Sequence, residues 1–432
     1  MRKVLIITYY WPPAGSSGVQ RWLKFVKYFR DFGWEPVIYT SENPEVAASD
    51  DSLQKDIPEN IIVIRRSVPE PYTIYKYLTG NRNKKIGMGF TTEGSKNKGL
   101  INWIAIWVRG NFFIPDARMF WINPSVRFLQ KYLKENPIDL IVSSGPPHSL
   151  HLIALKLKKR LNIPWIADFR DPWTTIYFYK NLHLTPLANY LQKRLELKVL
   201  NNANFNVVVS QAMAKEFYHK GIEKIKVIEN GFDHEDYLEQ FPLDEKFSIV
   251  HVGTIPPKSI SPNLWRAIKR FVNYNNEFSD KLIIRFIGNV DSNVVNLLHE
   301  NNLSDKVEFF GYKPHSEISH YQKEAQVLLV LIPSESKEVL TGKIFEYLAA
   351  KRPILAVGPT GGDLDKLLGE TGSGLLLPYN SELEIFEGLK WFWEGYKNNW
   401  DNFKPKNIEQ FSRKELSRKM TELMNEVLSI NE

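Results

Sequence analysis

The segment whose residues point most specifically to a chemical function is SESKEVLTGKIFEYLAAKRPILAVG at 334–358. In it, Glu338 and Glu346 form an E-x7-E pattern. If a helix begins near Thr341-Gly342, Glu346 lies within it and Glu338 in the loop before it, so both carboxylates can face one cavity at the strand C-termini. Lys343 lies three residues before Glu346 on the same helical face and can present a cation beside the carboxylate. A solvated helix start with an intrahelical ion pair explains the same pattern without any ligand.

A glycine-containing turn forms the second candidate, with Gly15 and Gly18 between the first predicted strand and the first helix. Glycine lets the backbone approach a ligand closely, and amide groups at a helix N-terminus favour anions. The spacing matches neither the dinucleotide fingerprint nor the phosphate loop. An ordinary strand–helix turn is therefore an equal alternative.

Two acids, Asp363 and Asp365, follow Gly361 and Gly362 in a D-x-D arrangement. Acidic residues are favoured at a helix N-cap and in its first turn, and this explains the pair better than metal ligation does. The sequence therefore predicts no metal site.

Two further candidate groups follow predicted strands in the first half of the chain. His148 lies just beyond a strand, where an open α/β sheet places its ligands. It can instead serve as a helix-cap histidine or pair with His151 on a metal, although no third ligand is evident. Asp168 and Arg170, in ADFRDPW at 167–173, can form a salt-bridged loop or line an acceptor surface.

The elements that must position these residues alternate between apolar runs and amphipathic stretches. Apolar runs of this length, separated by helix patterns, are typical of buried parallel strands. One helix pattern is expected to begin with Ser149 as its N-cap. The strands are expected at 4–8, 36–40, 61–64, 140–144, 164–168, 205–210, 248–253, 282–288, 306–311, 327–332, 353–358 and 374–378.

The two sets of strands are separated by an acidic, turn-rich junction at 226–246, which predicts two α/β domains of doubly wound type. We expect a first domain at 1–235, a second at 236–395, and a helical tail at 396–432 that caps the second domain or returns to the first. Residues 68–125 are too long for an ordinary connection and are interpreted as an insertion in the first domain.

Composition and charge limit the classes of function. The 432 residues include no cysteine, which excludes cysteine nucleophiles, disulfide scaffolds and thiolate zinc sites. Residues 1–230 carry 33 Lys and Arg against 19 Asp and Glu, whereas residues 231–432 carry 23 against 30. The first half is therefore strongly basic, which suits nucleic acid, anionic lipid or a phosphorylated substrate. The sequence predicts neither an export signal nor a membrane-spanning helix.

The E-x7-E of Glu338 and Glu346, embedded in TGKIFEYLAAKRPILA and followed by Gly361-Gly362, resembles the donor-site signature of family 4 retaining glycosyltransferases. The resemblance extends to the opening VLIITYYWPPAGSSGVQR, to VIENGFD at 227–233 and to HVGTI at 251–255. It implies the GT-B fold, in which two Rossmann-like domains face a cleft, with the acceptor on the first domain and the nucleotide sugar mainly on the second.

The resemblance also implies roles for individual residues. Glu346 would accept hydrogen bonds from the ribose of the nucleotide, and Glu338 from the transferred sugar. Lys343 and Lys258 would stabilise the charge on the departing diphosphate. Besides these, the donor side would include the backbone around Gly15, Gly18, Gly361 and Gly362, and His148 would lie near the reacting sugar.

The expected activity is therefore transfer of a sugar, with retention and without metal or other cofactor, from a nucleotide sugar to a saccharide or lipid-linked acceptor in polysaccharide or glycolipid synthesis. We expect a cytoplasmic protein at the inner face of the cell membrane. The bases between Arg82 and Lys98 and the aromatics that follow suit either contact with an anionic membrane or a hairpin packed on the first domain. A non-catalytic GT-B assembly partner and a basic nucleic-acid-binding protein are the alternatives, although no nucleic-acid-binding motif is evident.

Overall fold

The computed structural model describes residues 1–15, 17–45, 48–68, 100–176, 178–255, 259–334 and 340–431. It divides the chain into two compact units. The first contains residues 1–229 together with 416–432, and the second contains residues 230–415. The boundary between the units falls inside the acidic junction at 226–246.

The first unit is built on a parallel sheet with the strand order β5-β3-β1-β6-β7-β8-β9. Strand β1 lies near the middle, paired with β3 on one side and β6 on the other. The order reverses between β1 and β6, so this pair forms the topological switch point of the sheet. The strands are β1 (Arg2–Ile7), β3 (Trp34–Ser41), β5 (Ile62–Arg66), β6 (Leu140–Gly145), β7 (Trp165–Phe169), β8 (Phe205–Val208) and β9 (Ile225–Val227), and the short β2 (Ala14–Gly15) pairs antiparallel with β4 (Ala48–Ser49).

Helices pack on this sheet through their apolar faces. In the first helix, Val19, Trp22, Val26 and Phe29 recur at helical spacing, and all four are buried. The helices of this part are α1 (Ser17–Phe29), α2 (Leu100–Phe112), α3 (Ile122–Glu135), α4 (Ser149–Leu161), α5 (Pro186–Asn202) and α6 (Gln211–His219). Short 3-10 turns lie at Arg30–Phe32, Asp51–Asp56, Met119–Trp121 and Tyr179–Leu182.

The start of α4 corrects one expectation from the sequence. Ser149 is the first helical residue, and His148 occupies the N-cap position without a capping side-chain bond. Asp116 accepts hydrogen bonds from both the amide and the hydroxyl of Ser149, at 2.8 Å each. The prediction that Ser149 is the N-cap was therefore wrong, because a distant carboxylate satisfies the helix start instead.

The second unit contains a parallel sheet with the order β12-β11-β10-β13-β14-β15, whose switch point lies between β10 and β13. Phe247 and Ile249 of β10 face one apolar cluster, and Val250 and Val252 face another. Helices therefore cover both faces, as in a doubly wound fold. The strands are β10 (Phe247–Val252), β11 (Leu282–Ile287), β12 (Val307–Gly311), β13 (Val327–Leu331), β14 (Ile354–Gly358) and β15 (Gly374–Pro378).

The helices of the second unit are α7 (Pro262–Tyr274), α8 (Asn276–Lys281), α9 (Ser292–Glu300), α10 (His315–Glu324), α11 (Gly342–Ala350), α12 (Asp363–Thr371) and α13 (Glu382–Lys397), with 3-10 turns at His234–Tyr237, Ser304–Lys306 and Ile408–Phe411. Helix α11 begins at Gly342, as the sequence predicted. Lys343 and Glu346 are therefore on its first two turns.

The last helix, α14 (Arg413–Asn431), packs against the first unit. Its apolar residues Leu416, Met420 and Leu423 are buried in the core of that unit. The Ser417 hydroxyl donates a hydrogen bond to the carbonyl of Phe25 at 3.3 Å. Helix α14 therefore returns to the first unit.

Candidate functional site

Lys343 lies at the switch point of the second sheet, the position at which α/β sheets bind ligands. It belongs to the first turn of α11, and its Nζ lies 3.5 Å from Nε2 of His251 on β10. Gly253, just beyond β10, has φ +104°, and a Cβ built there would lie 3.1 Å from Nζ. The left-handed backbone and the missing side chain of Gly253 thus leave room for the ammonium group.

His251 is buried and fixed in one tautomer. Its Nδ1–H donates to the carbonyl of Leu329 on β13 at 3.0 Å, because a carbonyl can only accept. The lone pair on Nε2 therefore faces the ammonium of Lys343. Burial, aided by the charge of Lys343, lowers the pKa of His251 well below its usual value, so the imidazole is neutral.

Lys343 carries a cation in a largely desolvated position. Burial lowers its pKa from 10.5 to about 8, and the carboxylate of Glu346 acts in the opposite direction. The ammonium is thus charged at neutral pH, although its hydration has been reduced. An anionic group of a ligand would restore the interactions that the ammonium has lost.

The carboxylate of Glu346 is held by a chain of hydrogen bonds from outside α11. Gln322 of α10 is fully buried, and its Nε2 donates to Oε2 of Glu346 at 3.4 Å. The hydroxyl of Tyr237 donates in turn to Oε1 of Gln322. This chain orients the Glu346 side chain and leaves it an acceptor for ligand hydroxyls.

The turn after β14 contains Gly361 and Gly362. Gly361 has φ +76°, and its amide donates to Oδ2 of Asp365 at 2.7 Å, whereas Gly362 occupies the N-cap position of α12. Asp363 and Asp365 lie in the first turn of that helix, as predicted, although neither of them is its N-cap. The amide of Gly361 is therefore engaged within its own turn. Lys258 and Glu338, the other two residues expected on this side, lie outside the described residues.

His148 lies at the switch point of the first sheet, directly after β6. Its imidazole stacks on the indole of Trp173, with ring centroids 4.4 Å apart and planes 2° from parallel. Burial lowers its pKa well below the usual value, and His151 and Arg170 lower it further. Its Nδ1 is buried and has no hydrogen-bond partner among the described residues. This arrangement presents a neutral imidazole with one unused nitrogen.

Two family patterns match the chain. Residues 91–236 match the family described as Glycosyltransferase Family 4, and residues 233–414 match Glycosyl transferases group 1. The chain belongs to glycosyltransferase family 4. This family 4 enzyme accordingly transfers a sugar from a nucleotide-sugar donor.

Several solved structures share its fold. Sucrose-phosphate synthase from Thermosynechococcus elongatus is 14% identical with a TM-score of 0.62, and all of both chains is covered. HepE of Anabaena, solved in complex with UDP-glucose, is 13% identical with a TM-score of 0.61, covering 99% of this chain and 100% of that one. WaaG, a glycosyltransferase involved in lipopolysaccharide biosynthesis, is 13% identical with a TM-score of 0.53 and 99% of each chain covered. These likenesses confirm the GT-B fold.

A comparison with curated protein sequences finds no match. Among the helices that the structure describes, none combines the length and hydropathy needed to cross a bilayer.

Gly15 and Gly18 of the family 4 enzyme each make a contact that stabilises the turn before α1. A Cβ on Gly15 would lie 2.8 Å from the Cβ of Asp50, so the close β2–β4 pairing requires glycine there. The carbonyl of Gly18 accepts a hydrogen bond from Arg170 at 3.0 Å, and Arg170 also donates to the carbonyl of Pro146. Arg170 thereby ties the start of α1 to the turn that carries His148.

Asp168 forms a buried salt-bridged cluster. It pairs with Arg21 at 2.8 Å and also accepts hydrogen bonds from Trp22 and Ser144. Burial would raise the pKa of Asp168, but these partners outweigh burial and lower it. Arg21 also donates to the carbonyl of Ile228, so the cluster connects β7 and α1 to the end of the first unit's main segment.

Sequence reasoning missed the residues that support Lys343 and Glu346. His251 is a polar residue within the apolar run SIVHVG, and this interruption was the available signal. A glycine after each of two strands, Gly253 and Gly288, was a second signal in the sequence. The structure explains these glycines, because a Cβ on Gly288 would lie 2.8 Å from the carbonyl oxygen of Gly253. No sequence pattern indicated Gln322.

Proposed function

We propose that this chain is a retaining, metal-independent hexosyltransferase that moves a sugar from a nucleotide sugar to a saccharide or lipid-linked acceptor. The observation that carries the proposal is the partly buried Lys343 ammonium at the switch point of the second unit, three residues before Glu346 on α11. A cation and a fixed acceptor on one helix match the diphosphate and the ribose of a nucleotide.

Lys343 acts on the leaving group in this proposal. When the bond between the anomeric carbon and the diphosphate breaks, negative charge grows on the phosphate oxygen. The ammonium is positioned beforehand by His251 at 3.5 Å, so little reorganisation is needed as the charge develops. A cation in this role supplies the stabilisation that a divalent metal provides in other transferases.

Glu346 binds the ribose hydroxyls, and we assign the transferred sugar to Glu338 and a second phosphate contact to Lys258 on the family resemblance. We assign His148 to the neighbourhood of the reacting sugar, on the acceptor side, on the family resemblance. Gly15, Gly18, Gly361 and Gly362 contribute close backbone approach. We assign the acceptor to cell-surface polysaccharide or glycolipid synthesis at the cytoplasmic side of the membrane.

A panel of nucleotide sugars tested by thermal shift examines the proposal, because a ligand that binds only the folded state raises the melting temperature. We expect one nucleotide sugar to stabilise the protein, and Glu346→Gln and Lys343→Met to remove the shift. The matched controls are Glu277→Gln and Lys281→Met, an exposed pair of the same residue types on α8. Undiminished shifts in both site variants would refute the assignment.

Turnover of the stabilising donor then tests the chemistry. The product is expected to keep the anomeric configuration of the donor, as NMR of the first-formed glycoside would show, and activity is expected to survive a chelator. An inverted product, or activity lost on chelation and restored by Mg²⁺ or Mn²⁺, would overturn the retaining, metal-independent proposal.

A further inference from the structure

Helices α2 and α5 lie side by side on the first unit, and the end of α2 is hydrogen-bonded to the residues that lead into α5. Oδ1 of Asn111 on α2 accepts from the amide of Thr185 at 2.7 Å, and its Nδ2 donates to the carbonyl of His183 at 3.2 Å. A Cβ on Gly110 would lie 2.7 Å from the carbonyl oxygen of Leu182. The exposed sides of the two helices therefore lie next to each other.

Helix α2 is apolar in sequence, LINWIAIWVRGNF, yet little of it is buried. From Trp103 to Phe112, where its side chains are described, only Gly110 is buried. Trp103 is 47% exposed and Phe112 is 63% exposed. A helix of this composition normally turns its apolar side into a core, so its exposure indicates a surface that contacts something apolar.

Helix α5 continues this surface with apolar and cationic side chains. Leu187 is 68% exposed and Tyr190 is 58% exposed. Farther along the same helix, Lys193, Arg194 and Lys198 are all exposed. We call the set Trp103, Phe112, Leu187, Tyr190, Lys193, Arg194 and Lys198 the α2–α5 face.

The α2–α5 face carries no counter-charge of its own. The only carboxylate of the two helices is Glu196, which is buried, accepts hydrogen bonds from Thr174 and pairs with Lys220 at 3.0 Å. The positive charge extends to α4, where burial lowers the pKa of Lys156 and the cations Arg160 and Lys198 lower it further. An anionic partner would relieve this crowding of cations.

We propose that the α2–α5 face docks on the surface of an anionic lipid bilayer. Leu187, Phe112 and Trp103 can enter the boundary between headgroups and acyl chains, where tryptophan and tyrosine are favoured. The cations of α5 then lie among the anionic headgroups. Such a face differs from a nucleic-acid surface, which gains nothing from exposed leucine. The inference goes beyond the donor chemistry and is independent of it.

Co-sedimentation of the full-length protein with vesicles tests the proposal. We expect binding to vesicles of phosphatidylcholine mixed with phosphatidylglycerol and far less to phosphatidylcholine alone. The triple variant Lys193→Gln, Arg194→Gln, Lys198→Gln should weaken anionic binding roughly a hundredfold, since each cation near such a surface contributes about fivefold. The double variant Phe112→Ser, Tyr190→Ser should also weaken it, which a purely electrostatic contact would not show.

The control removes the same charge elsewhere on the first unit, with Arg127→Gln, Lys131→Gln and Lys134→Gln on the exposed side of α3. This variant is expected to bind vesicles almost as the unaltered protein does. Equal losses in both triple variants would overturn the proposal, as would the absence of anionic binding. The proposal also fails if the substitutions of Phe112 and Tyr190 leave vesicle binding unchanged and a single-stranded polynucleotide binds the protein as tightly as the vesicles do. Circular dichroism confirms that each variant is folded.

Discussion

The partly buried charge of Lys343 makes a prediction that couples donor affinity to pH. Its pKa of about 8 means that the ammonium loses its proton within an accessible range of pH. If the ammonium contacts the diphosphate, affinity must fall as it deprotonates. Between about pH 7 and about pH 9 the charged fraction falls roughly tenfold, so we expect Kd to rise by about the same factor.

The same burial predicts that the stability of the unliganded protein rises with pH, whereas the affinity for the donor falls. A folded pKa below the usual 10.5 means that the charged lysine disfavours folding below about pH 8, and that this cost disappears as the pH rises toward 10.5. The shift corresponds to about 3 kcal/mol. Lys343→Met should therefore stabilise the unliganded protein at neutral pH by up to about 3 kcal/mol, or roughly 6–12 °C for a domain of this size.

Isothermal titration of the preferred nucleoside diphosphate at several pH values measures the first effect. Lys343→Met should lose about 30- to 150-fold in affinity, because a charge-assisted hydrogen bond contributes about 2–3 kcal/mol. Its remaining pH dependence reports the titration of the nucleotide itself and serves as the baseline. Lys343→Arg keeps its charge throughout this range and should show no fall above that baseline.

A wild-type affinity that follows the Lys343→Met baseline between neutral and alkaline pH would show that the Lys343 ammonium does not contact the diphosphate. If the unliganded Lys343→Met protein is less stable than the unliganded wild type, desolvation of the ammonium does not destabilise the fold.

Two further substitutions test the surroundings of the two switch points. Asp168→Ala should lower the free energy of unfolding in urea by about 3–5 kcal/mol, because Arg21 would remain buried without its partner. A loss below about 1 kcal/mol, which is typical of an exposed ion pair, would contradict the buried cluster. Gly253→Ala should weaken diphosphate binding as well as stability, since its Cβ would displace Lys343, whereas Gly372→Ala, also at positive φ but with open space around it, should affect stability alone. Equal losses of affinity in the two glycine variants would contradict the close approach.

Local patterns were sufficient to predict most of the fold. The apolar runs from VLIIT to GLLLP are all strands, and α11 begins at the predicted Gly342, because apolar runs and helix starts leave continuous local signals. The expected burial was wrong for β5 and β12, which are largely exposed because they lie at the edges of their sheets. The strand β9 (Ile225–Val227) was missed, since it has only three residues and lies where the junction was expected.

The missing parts of the candidate site depend on contacts distant in sequence. Lys343 and Glu346 were predicted from their spacing, but His251 and Gln322 reach them from other elements, 92 and 24 residues away. Ser149 has the residue type of an N-cap, yet Asp116 satisfies its amide from 33 residues away. Spacing identifies residues on one helix, whereas the residues that orient them are determined by the packing of the sheet.

A crystal structure of the protein with the preferred nucleoside diphosphate would show whether α11 carries the donor site. We expect a phosphate oxygen within hydrogen-bond distance of Nζ of Lys343 and the ribose hydroxyls on the carboxylate of Glu346. A nucleotide bound at full occupancy elsewhere, with Lys343 still directed at His251 and no ligand atom on Glu346, would contradict it.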